Sequence, residues 1–569
     1  MSAKNETSYE FDAIVIGSGI SGGWAAKELT EKGMKVLMLD RGRMVEHSVD
    51  YPHEGQGPWE LPYRGDTPPA VVERDYRMAR YGGAAQSAVK DYFNNDRLNP
   101  IAFEESTDFR WVRPGIVGGK SIMWGRVSLR YGPQDFEANA KDGHGNDWPV
   151  RYDDIAPWYS YAESYAGIAG SKEGLPQLPD GEFQPPHPMN VAETWFKDKL
   201  ETAIPGRKVI PTRAANMTED KPEQGRSRCQ NRSQCNRGCS FGAYFSTQAV
   251  TLPAARATGN LTLLSDTVVT SLEYDPKTKR VTGVRTMDAN TMVPKVYRSR
   301  IVFLCASTLA SVQILLNSKL EGSDKSFADS SGKLGKYVMD HVMQTVFSGN
   351  LPAGVHSDLI EFGRKPQGVY IPRFRNMDNR QDADADFVRG YGAQGGAHRT
   401  PAWAQGFGAG MKEGLRKYGP WSIGFNVFAE CLPYIDNTLS LHGSKVDRYG
   451  VPLAVFNVTF RENERKMMQD AAIQGERMMK AAGLVDVAAS EKPHIPGDAI
   501  HEMGGACMGK DPRTSVTNGW NQLHDAPNVF VTDGAAMAST SCVNPSLTFM
   551  AFTARAADYA VKQVKAGVI

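Results

Sequence analysis

The stretch FDAIVIGSGISGGWAAKELTEKGMKVLMLDRG, residues 11–42, decides the fold. Residues 13–16 are short and apolar, which predicts a buried strand, and residues 21–31 have the composition of a helix that stops at Gly33. Residues 35–39 predict a second strand. A strand, a Gly-rich turn, a helix and a second strand in this order predict a Rossmann-like, dinucleotide-binding α/β unit.

The turn after the first strand carries the pattern G-x-G-x-x-G. Glycines allow a tight turn and let the main chain approach a pyrophosphate, which the N-terminus of the following helix attracts. Asp40 and Arg41 follow the second strand, where a carboxylate can bind a ribose hydroxyl. The other interpretation is a strand–helix turn without a ligand, and the motif does not separate FAD from NAD. The residues predicted to bind the dinucleotide here are Gly17, Ser18, Gly19, Ile20, Ser21, Gly22, Asp40 and Arg41.

Composition narrows the class of protein. The 569 residues exceed one ordinary core, and a formal net charge of +1 argues against a nucleic-acid binder that works through a basic field. The N-terminus lacks an apolar signal region, so we expect no export signal on this chain. The longest apolar run, residues 301–316, is interrupted by polar side chains and predicts a buried strand and helix, not a membrane span.

The domain organisation follows from changes in composition and in the pattern of apolar residues along the sequence. Residues 1–340 are expected to form the first part of the dinucleotide-binding domain, including a Cys-containing loop at 228–242. Residues 341–500 predict an inserted α+β substrate domain, within which 376–399 is polar and Gly-rich and predicts a surface loop. Residues 501–569 return to strand and then helix, and are expected to complete the first domain.

Several blocks in a fixed order resemble the glucose–methanol–choline (GMC) oxidoreductase family. They are GSGISG at 17–22, VGGKS at 117–121, DWP at 147–149, HEMGGACMG at 501–509 and NVFVTDGAAMASTSCVNPSLT at 528–548. Because these blocks span nearly the whole chain, the resemblance is specific. It implies bound FAD and the oxidation of an alcohol by hydride transfer to flavin N5.

The resemblance also implies further flavin contacts. Asp533 and Gly534 follow a strand and would contact the ribityl chain and pyrophosphate, although a plain strand-end turn is the other interpretation. Some relatives attach FAD covalently through a His before the Trp of the second loop. Met123 stands there, and a thioether cannot form that link, so we expect non-covalent FAD. The further residues expected at the cofactor are Gly118, Gly119, Ser121, Met123, Trp124, Gly125, Val269, Asp533, Gly534, Asn544, Pro545 and Thr548.

Two residues are predicted to act on the alcohol. His501 lies among glycines and matches the active-site His of the family, so it is expected to take the hydroxyl proton. Asn544 matches the second position, where its amide would hold the hydroxyl. Asn544 could equally be the N-cap of a helix that begins at Pro545, and both roles are compatible. His341 is interpreted as structural.

Three cysteines fall within eleven residues. Cys229, Cys235 and Cys239 have the spacing C-x5-C-x3-C. A structural zinc ion requires four ligands, and no fourth is nearby. The resemblance to cluster-bearing sugar dehydrogenases implies a [3Fe-4S] cluster that relays electrons one at a time. Three free thiols, or one strained disulfide with a free Cys, are the alternatives.

Within the family, the chain is most similar to the large subunits of bacterial sugar dehydrogenases, in particular glucoside 3-dehydrogenase. The resemblance therefore implies oxidation of a secondary hydroxyl, at C3, of a sugar or glycoside. The alternatives are an oxidase that uses O2, a glucose 1-dehydrogenase, and a non-catalytic flavoprotein subunit. Gln394, Asn426 and Glu430 are candidate sugar ligands in the substrate domain.

Partners and location follow from the resemblance alone. It implies a small subunit and a cytochrome c acceptor, with no nucleic acid and no membrane span of its own. Relatives of this kind reach the periplasm together with a small subunit that carries the export signal. Periplasmic co-export is therefore expected, and a cytoplasmic enzyme is the alternative.

Overall fold

The computed structural model describes residues 9–79, 85–100, 107–343, 345–359, 366–399, 407–491 and 495–569. Within these ranges, helices α1 to α10 follow in chain order: Ile20–Glu31, Pro69–Asp75, Pro133–Asp142, Tyr152–Ala166, Val191–Ala203, Leu252–Ala257, Thr308–Asn317, Ala409–Leu415, Glu462–Ala481 and Ser546–Lys565. Strands β1 to β16 are Phe11–Ile16, Val36–Leu39, Ile210–Pro211, Leu261–Leu264, Thr267–Asp275, Arg280–Asp288, Pro294–Tyr297, Ser299–Leu304, Thr345–Asn350, Val369–Ile371, Tyr391–His398, Ser422–Ala429, Thr438–Val446, Pro452–Asn457, Val485–Glu491 and Val529–Val531.

A five-stranded parallel sheet holds the N- and C-terminal parts together. Its strand order is β16-β8-β1-β2-β4. Ala13 pairs with Val36 on one side and with Ile301 on the other. Helix α1 packs on β1 and β2 and against α10, and strand β6 contacts β8. Strands β1 and β2 are almost entirely buried, as parallel strands covered on both faces are. The predicted Rossmann-like α/β fold is confirmed.

A second, antiparallel sheet forms the substrate side. Its strand order is β15-β9-β12-β11-β10-β3. Helices α5 and α9 pack on one face, and the buried apolar residues of β12 alternate towards them. The residues on that side of β12 are Ile423, Phe425, Val427 and Ala429. The opposite face of this sheet is therefore available for binding a substrate.

The central strand β11 lies where the sequence predicted a surface loop, so that prediction was wrong for Tyr391–His398. The strand contains glycines because its neighbours leave no room for side chains. A Cβ at Gly395 would lie 2.0 Å from the carbonyl oxygen of Gly424, and one at Gly392 would lie 2.1 Å from the hydroxyl of Tyr370. Close packing explains a composition that otherwise suggests a loop.

Smaller elements complete the structure. Strands β5, β6 and β7 form an antiparallel sheet, and β13 and β14 form the hairpin that the alternation in 438–459 predicts. Strand β3 pairs with β10, so a piece of the predicted first domain belongs to the substrate sheet. No helix in the described ranges is both long enough and apolar enough to span a bilayer.

Candidate active site

The Gly-rich turn between β1 and α1 is built for close approach of main chains. Gly17 has φ +92°, and a Cβ there would lie 2.4 Å from the carbonyl oxygen of Cys305. A Cβ at Gly22 would lie 1.8 Å from the carbonyl oxygen of Gly17. By contrast, a Cβ at Gly19 would meet nothing within 4 Å. The turn thus presents open space beside the N-terminus of α1, as a pyrophosphate requires.

Asp40 closes this turn from the end of β2. Its carboxylate accepts hydrogen bonds from the Ser18 main-chain N–H at 2.9 Å, the Ser18 hydroxyl at 2.5 Å and the Gly42 N–H at 2.7 Å. Burial raises the pKa of Asp40, while these hydrogen bonds lower it. The carboxylate thus shapes the turn as well as lining the space above it.

A single cavity of about 1410 Å³, including its open mouth, extends from the Gly-rich turn to His501. It lies at the carboxyl ends of the parallel strands, where α/β sheets bind ligands. The predicted cofactor residues that line it are Gly17, Ser18, Gly19, Ile20, Ser21, Asp40, Arg41, Gly119, Ser121, Val269, Asp533, Gly534 and Pro545.

The other predicted cofactor residues support the cavity wall without lining it. A Cβ at Gly118 would lie 1.8 Å from the Gln248 amide, and the Trp124 indole N–H donates to the Phe245 carbonyl at 2.8 Å. The Thr548 hydroxyl bonds to the Tyr159 hydroxyl at 2.8 Å. The residues in this group are Gly22, Gly118, Met123, Trp124, Gly125, Asn544 and Thr548.

Two cationic residues that line the cavity, Arg113 and Lys120, were not predicted from the sequence as site residues. The Arg113 guanidinium lies 4.3 Å from the centre of the Trp111 ring, and both line the cavity. Burial, with the nearby charge of Arg41, lowers the pKa of Arg113 to about 9. Lys120 bonds both carboxylate oxygens of Glu502 at 2.8 Å. The only signal for either residue was its place beside the second Gly-rich loop.

His501 and Asn544 come together at the far end of the cavity. The Asn544 Nδ2 lies 3.4 Å from the His501 Nε2, and the Gln394 Nε2 donates to the Asn544 Oδ1 at 2.5 Å. Burial, with the proximity of His341 and of the Lys120 charge, lowers the pKa of His501 well below its usual value. His501 is therefore neutral at physiological pH, as a general base must be.

Asn544 is not the N-cap of α10. The helix begins at Ser546 and the residue before it is Pro545, so the predicted cap lies one residue too far upstream. The Asn544 side chain is consequently free to bond to Gln394 and to approach His501. Pro545 and Ser546 line the cavity, so the positive end of α10 lies at its wall.

The main chain at His501 is held by Asp340. The Asp340 carboxylate accepts N–H bonds from Gly497 at 2.9 Å, Ala499 at 3.1 Å and His501 at 2.9 Å. The next residue, His341, is fully buried, and its Nδ1 lies 2.8 Å from the Nδ1 of His501. Burial lowers the pKa of His341 to about 4.

The predicted sugar ligands fall into two groups. Gln394 and Asn426 are paired directly across β11 and β12, so their side chains share one face of the sheet. On that face, the Phe428 ring lies 5.7 Å from the His501 ring. None of the three predicted sugar ligands lines the cavity, but Gln394 bonds to Asn544 beside His501.

The Glu430 side chain is instead buried in ion pairs. Its carboxylate lies 2.8 Å from Arg373 and 3.3 Å from Arg389. Removing one partner of such a buried pair typically costs about 3–5 kcal/mol. The two ion pairs indicate that Glu430 stabilises the fold and does not bind the sugar.

The three cysteines of the Cys-containing loop are free thiols that line one small pocket of about 330 Å³, including its mouth. Proximity to Cys235 and Cys239 adds to burial in raising the pKa of Cys229. In the described part of the chain, no three His, Cys, Asp or Glu side chains converge closely enough to hold a metal ion.

The Cys pocket lies next to the large cavity. The short helical turn Gly119–Ile122 contacts the turn Cys235–Arg237, while Gly119 and Ser121 line the cavity from the opposite side. Tyr244 lines the Cys pocket, and its hydroxyl donates to the carbonyl of Ile122. One turn of main chain therefore separates the two spaces.

The residues present fit FAD. The open position at Gly19 fits a pyrophosphate, the cavity is long enough to reach from there to His501, and Asp40 stands where a ribose would lie. A dinucleotide's pyrophosphate binds at a helix N-terminus, and a flavin enzyme that oxidises an alcohol needs a base near the flavin to take the hydroxyl proton.

Comparisons with known proteins agree with this geometry. The profile of the family described as GMC oxidoreductase matches residues 11–343 with its N-terminal part and 433–553 with its C-terminal part. The chain is 27% identical over 571 residues to the fructose dehydrogenase large subunit of Gluconobacter japonicus, which covers 99% of this chain and 100% of that protein. It is also 27% identical to 2-methyl-1,2-propanediol dehydrogenase of Mycolicibacterium austroafricanum, over 96% of this chain and 94% of that protein.

A solved structure shares the fold. Pyridoxine 4-oxidase from Mesorbium loti superimposes with a TM-score of 0.56 and 16% identity, over 96% of this chain and 98% of that one. The predicted family is thus confirmed by two profile matches that cover both parts of the dinucleotide-binding domain. The chain belongs to the GMC oxidoreductase family and is an FAD-dependent enzyme acting on CH–OH groups.

Proposed function

We propose that this protein is a dehydrogenase that oxidises a secondary hydroxyl, at C3, of a sugar or glycoside. One observation carries the proposal: a neutral His501, with Asn544 beside it, lies at the end of the cavity that begins at the Gly-rich turn. The similarity to a fructose dehydrogenase large subunit supports a sugar as substrate. Gln394 and Asn426 offer amides to its other hydroxyls.

The cofactor would be held without a covalent bond. The Gly-rich turn, Asp40 and the end of β16 at Asp533 and Gly534 all line the cavity and would hold FAD there. Met123, in the second loop, packs against an apolar cluster that includes Tyr51 and Tyr92, and it offers no histidyl nitrogen. Bound FAD supplies the acceptor for the hydride that leaves the alcohol carbon.

The chain's own part in the reaction is to handle the proton. The His501 Nε2 accepts the hydroxyl proton as the C–H hydride leaves, so that the alcohol becomes a ketone. The Asn544 Nδ2, 3.4 Å from the same nitrogen, can donate to the substrate oxygen and orient it. The Phe428 ring beside His501 keeps that side of the imidazole apolar.

The reaction should be insensitive to pH above the ordinary His range. A base must be unprotonated, and a lowered pKa keeps His501 unprotonated to lower pH. We therefore expect the rate of anaerobic flavin reduction, measured by stopped flow at saturating sugar, to stay level above a pH of about 6.5. An inflection for the essential base at or above that pH would contradict this environment of His501.

The cysteine pocket would hold a [3Fe-4S] cluster. Its three free thiols are the number of ligands that such a cluster takes, and they would have to move closer together to bind it, because they do not converge closely enough as they lie. The pocket adjoins the flavin cavity through Gly119–Ile122. The cluster would supply one-electron transfer to an acceptor. We further propose that a small subunit accompanies this chain, as the name of the related large subunit suggests. We propose a cytochrome c as the acceptor, since it takes the one electron at a time that such a cluster delivers. Co-export with that subunit would place the complex in the periplasm.

Removing one thiol tests the relay. We expect Cys235→Ser to lose most of its iron and to reduce cytochrome c slowly, while sugar still bleaches the flavin at the normal rate. Iron analysis and stopped-flow absorbance give the two readings. Cys507→Ser is the matched control, because Cys507 is buried and lines neither pocket. Equal iron in Cys235→Ser and the unmodified protein would exclude the cluster at this site.

Product analysis tests the substrate assignment. The holoenzyme is incubated with methyl glucoside or glucose and an artificial electron acceptor, and the product is identified by NMR. A ketone at C3 supports the proposal. A lactone from C1 would make the protein a glucose 1-dehydrogenase, and peroxide formed at the rate of sugar turnover in air would make it an oxidase.

A further inference from the structure

Four side chains form a continuous hydrogen-bonded chain that passes through the proposed reaction centre. It begins at Gln394 on β11, passes through Asn544 and His501, and ends at His341, which contacts main-chain carbonyls after β16. The successive contacts are 2.5 Å, 3.4 Å and 2.8 Å long. Each link needs one donor and one acceptor, so fixing either end fixes the direction of every hydrogen bond.

The His341 end is fixed by two carbonyl groups. The His341 Nε2 lies 2.8 Å from the Ser541 oxygen and 3.2 Å from the Thr540 oxygen. Carbonyl oxygens only accept, so Nε2 carries the hydrogen. Burial lowers the pKa of His341 to about 4, so the ring is neutral and its Nδ1 has a lone pair. The Nδ1 of His501, 2.8 Å away, must then donate.

The Asn544 end independently requires the same direction. The Gln394 Nε2 can only donate, so the atom it meets on Asn544 is the acceptor Oδ1. This turns the Asn544 Nδ2, a donor, towards the His501 Nε2. A neutral imidazole with hydrogen on Nδ1 has its lone pair on Nε2, which is the nitrogen that Asn544 approaches.

We propose that His341 is a positioning residue that fixes the tautomer of His501, with hydrogen on Nδ1 and the lone pair on Nε2 towards the substrate. The proposal rests on the proposed function in one respect only, that Nε2 of His501 is the base. An imidazole fixed in the opposite tautomer would present an N–H to the alcohol and could not accept its proton.

The surroundings favour a positioning role over proton relay to solvent. His341 is 0% exposed, and its ring meets the Phe428 ring edge-on at 6.4 Å. The other ring nitrogen faces only main-chain oxygens of Thr540 and Ser541, which cannot take a proton onward. The buried ring therefore holds a fixed hydrogen-bond direction.

The direct test is the tautomer of His501 in the FAD-loaded, unmodified protein. Nitrogen NMR of protein labelled at its 11 histidines distinguishes protonated from unprotonated ring nitrogens, and loss of a signal in His501→Asn assigns it. We expect His501 to be neutral, with protonated Nδ1 and unprotonated Nε2. Protonated Nε2 with unprotonated Nδ1 would overturn the proposal. This reading does not depend on which alcohol is oxidised, so it can succeed or fail separately from the proposed function.

Two variants then link the tautomer to the rate. His341→Leu removes both ring nitrogens, and an incorrect imidazole tautomer has cost up to about 10⁴-fold in kcat elsewhere. We expect flavin reduction at saturating sugar to fall at least about tenfold, with the apparent substrate Kd unchanged and the His501 signals shifted towards the other tautomer. In His341→Asn, the amide oxygen can accept and the amide N–H can donate, so much of the rate and the tautomer should return.

The outcomes separate a positioning role from a structural one. Recovery of rate and tautomer in His341→Asn, but not in His341→Leu, supports the proposal. A His341→Leu protein that retains FAD, the normal rate and the normal tautomer overturns it. If His341→Leu fails to fold, the tautomer of the unmodified protein still decides.

Discussion

Replacing His501 with Ala is expected to slow flavin reduction by sugar about 10²- to 10⁴-fold, the usual contribution of a general base. The imidazole lines the cavity and its Nε2 contacts the Asn544 amide. Its loss removes the proton acceptor but leaves the hydrogen bond from the His501 main-chain N–H to Asp340. FAD should stay bound, because the Gly-rich turn lies at the other end of the cavity. Anaerobic stopped-flow absorbance measures the rate, and the spectrum of the purified protein measures FAD content.

A matched His control isolates this effect. His524 lies outside the cavity, where its Nε2 contacts the Ser515 hydroxyl at 3.0 Å. His524→Ala should therefore reduce its flavin at the normal rate. If sugar also bleached the flavin of His501→Ala at the normal rate, another group would be the base and the proposed chemistry would be wrong.

Two glycines of the G-x-G-x-x-G pattern should have different effects when each is changed to Ala, one on the stability of the fold and the other on FAD binding. At Gly22, the new Cβ would lie 1.8 Å from the Gly17 carbonyl oxygen, so we expect Gly22→Ala to be strongly destabilised. At Gly19, the protein leaves open space, so Gly19→Ala should fold normally. A methyl group in the pyrophosphate position should cost about 1–3 kcal/mol of FAD binding, roughly 5- to 150-fold in Kd.

Thermal unfolding of the apoprotein and titration with FAD give the two readings. Gly443→Ala provides a control, because Gly443 lies on β13 outside the cavity, has no positive φ, and a Cβ there also meets nothing within 4 Å. Its FAD affinity should be normal. Equal FAD affinity in Gly19→Ala and the unmodified protein would place the pyrophosphate elsewhere.

The parts of the fold that the sequence predicted are those set by local patterning. The unit from β1 to β2 has a buried apolar strand, required glycines and an acid at fixed spacing, and each of these constraints acts over a few residues. The alternation in 438–459 predicts the pairing of β13 with β14 in the same way. The order of the family's sequence blocks then predicted how these units follow one another along the chain.

The parts that escaped prediction depend on distant neighbours. The glycines of β11 suggest a loop until the carbonyl of Gly424 and the hydroxyl of Tyr370 are seen to occupy the space above them. Glu430 has the chemistry of a sugar ligand, but Arg373 and Arg389 converge on it from separate segments. No local pattern encodes such contacts.

The proposed site shows the same division. His501 and Asn544 could be found from their blocks, whereas the contact between His341 and His501 joins residues 160 positions apart. From the sequence alone, His341 is interpreted as structural. Only the two carbonyls at its Nε2 and the Nδ1–Nδ1 contact give it a direction, and both depend on the tertiary structure.

Anaerobic addition of sugar to the purified, FAD-loaded protein decides whether the chain oxidises a carbohydrate through a bound flavin. We expect a yellow protein whose flavin absorbance is bleached by glucose or a glucoside, with one keto-sugar formed for each flavin reduced. A protein that retains no added FAD, or a bound flavin that no sugar or glycoside bleaches, would contradict it.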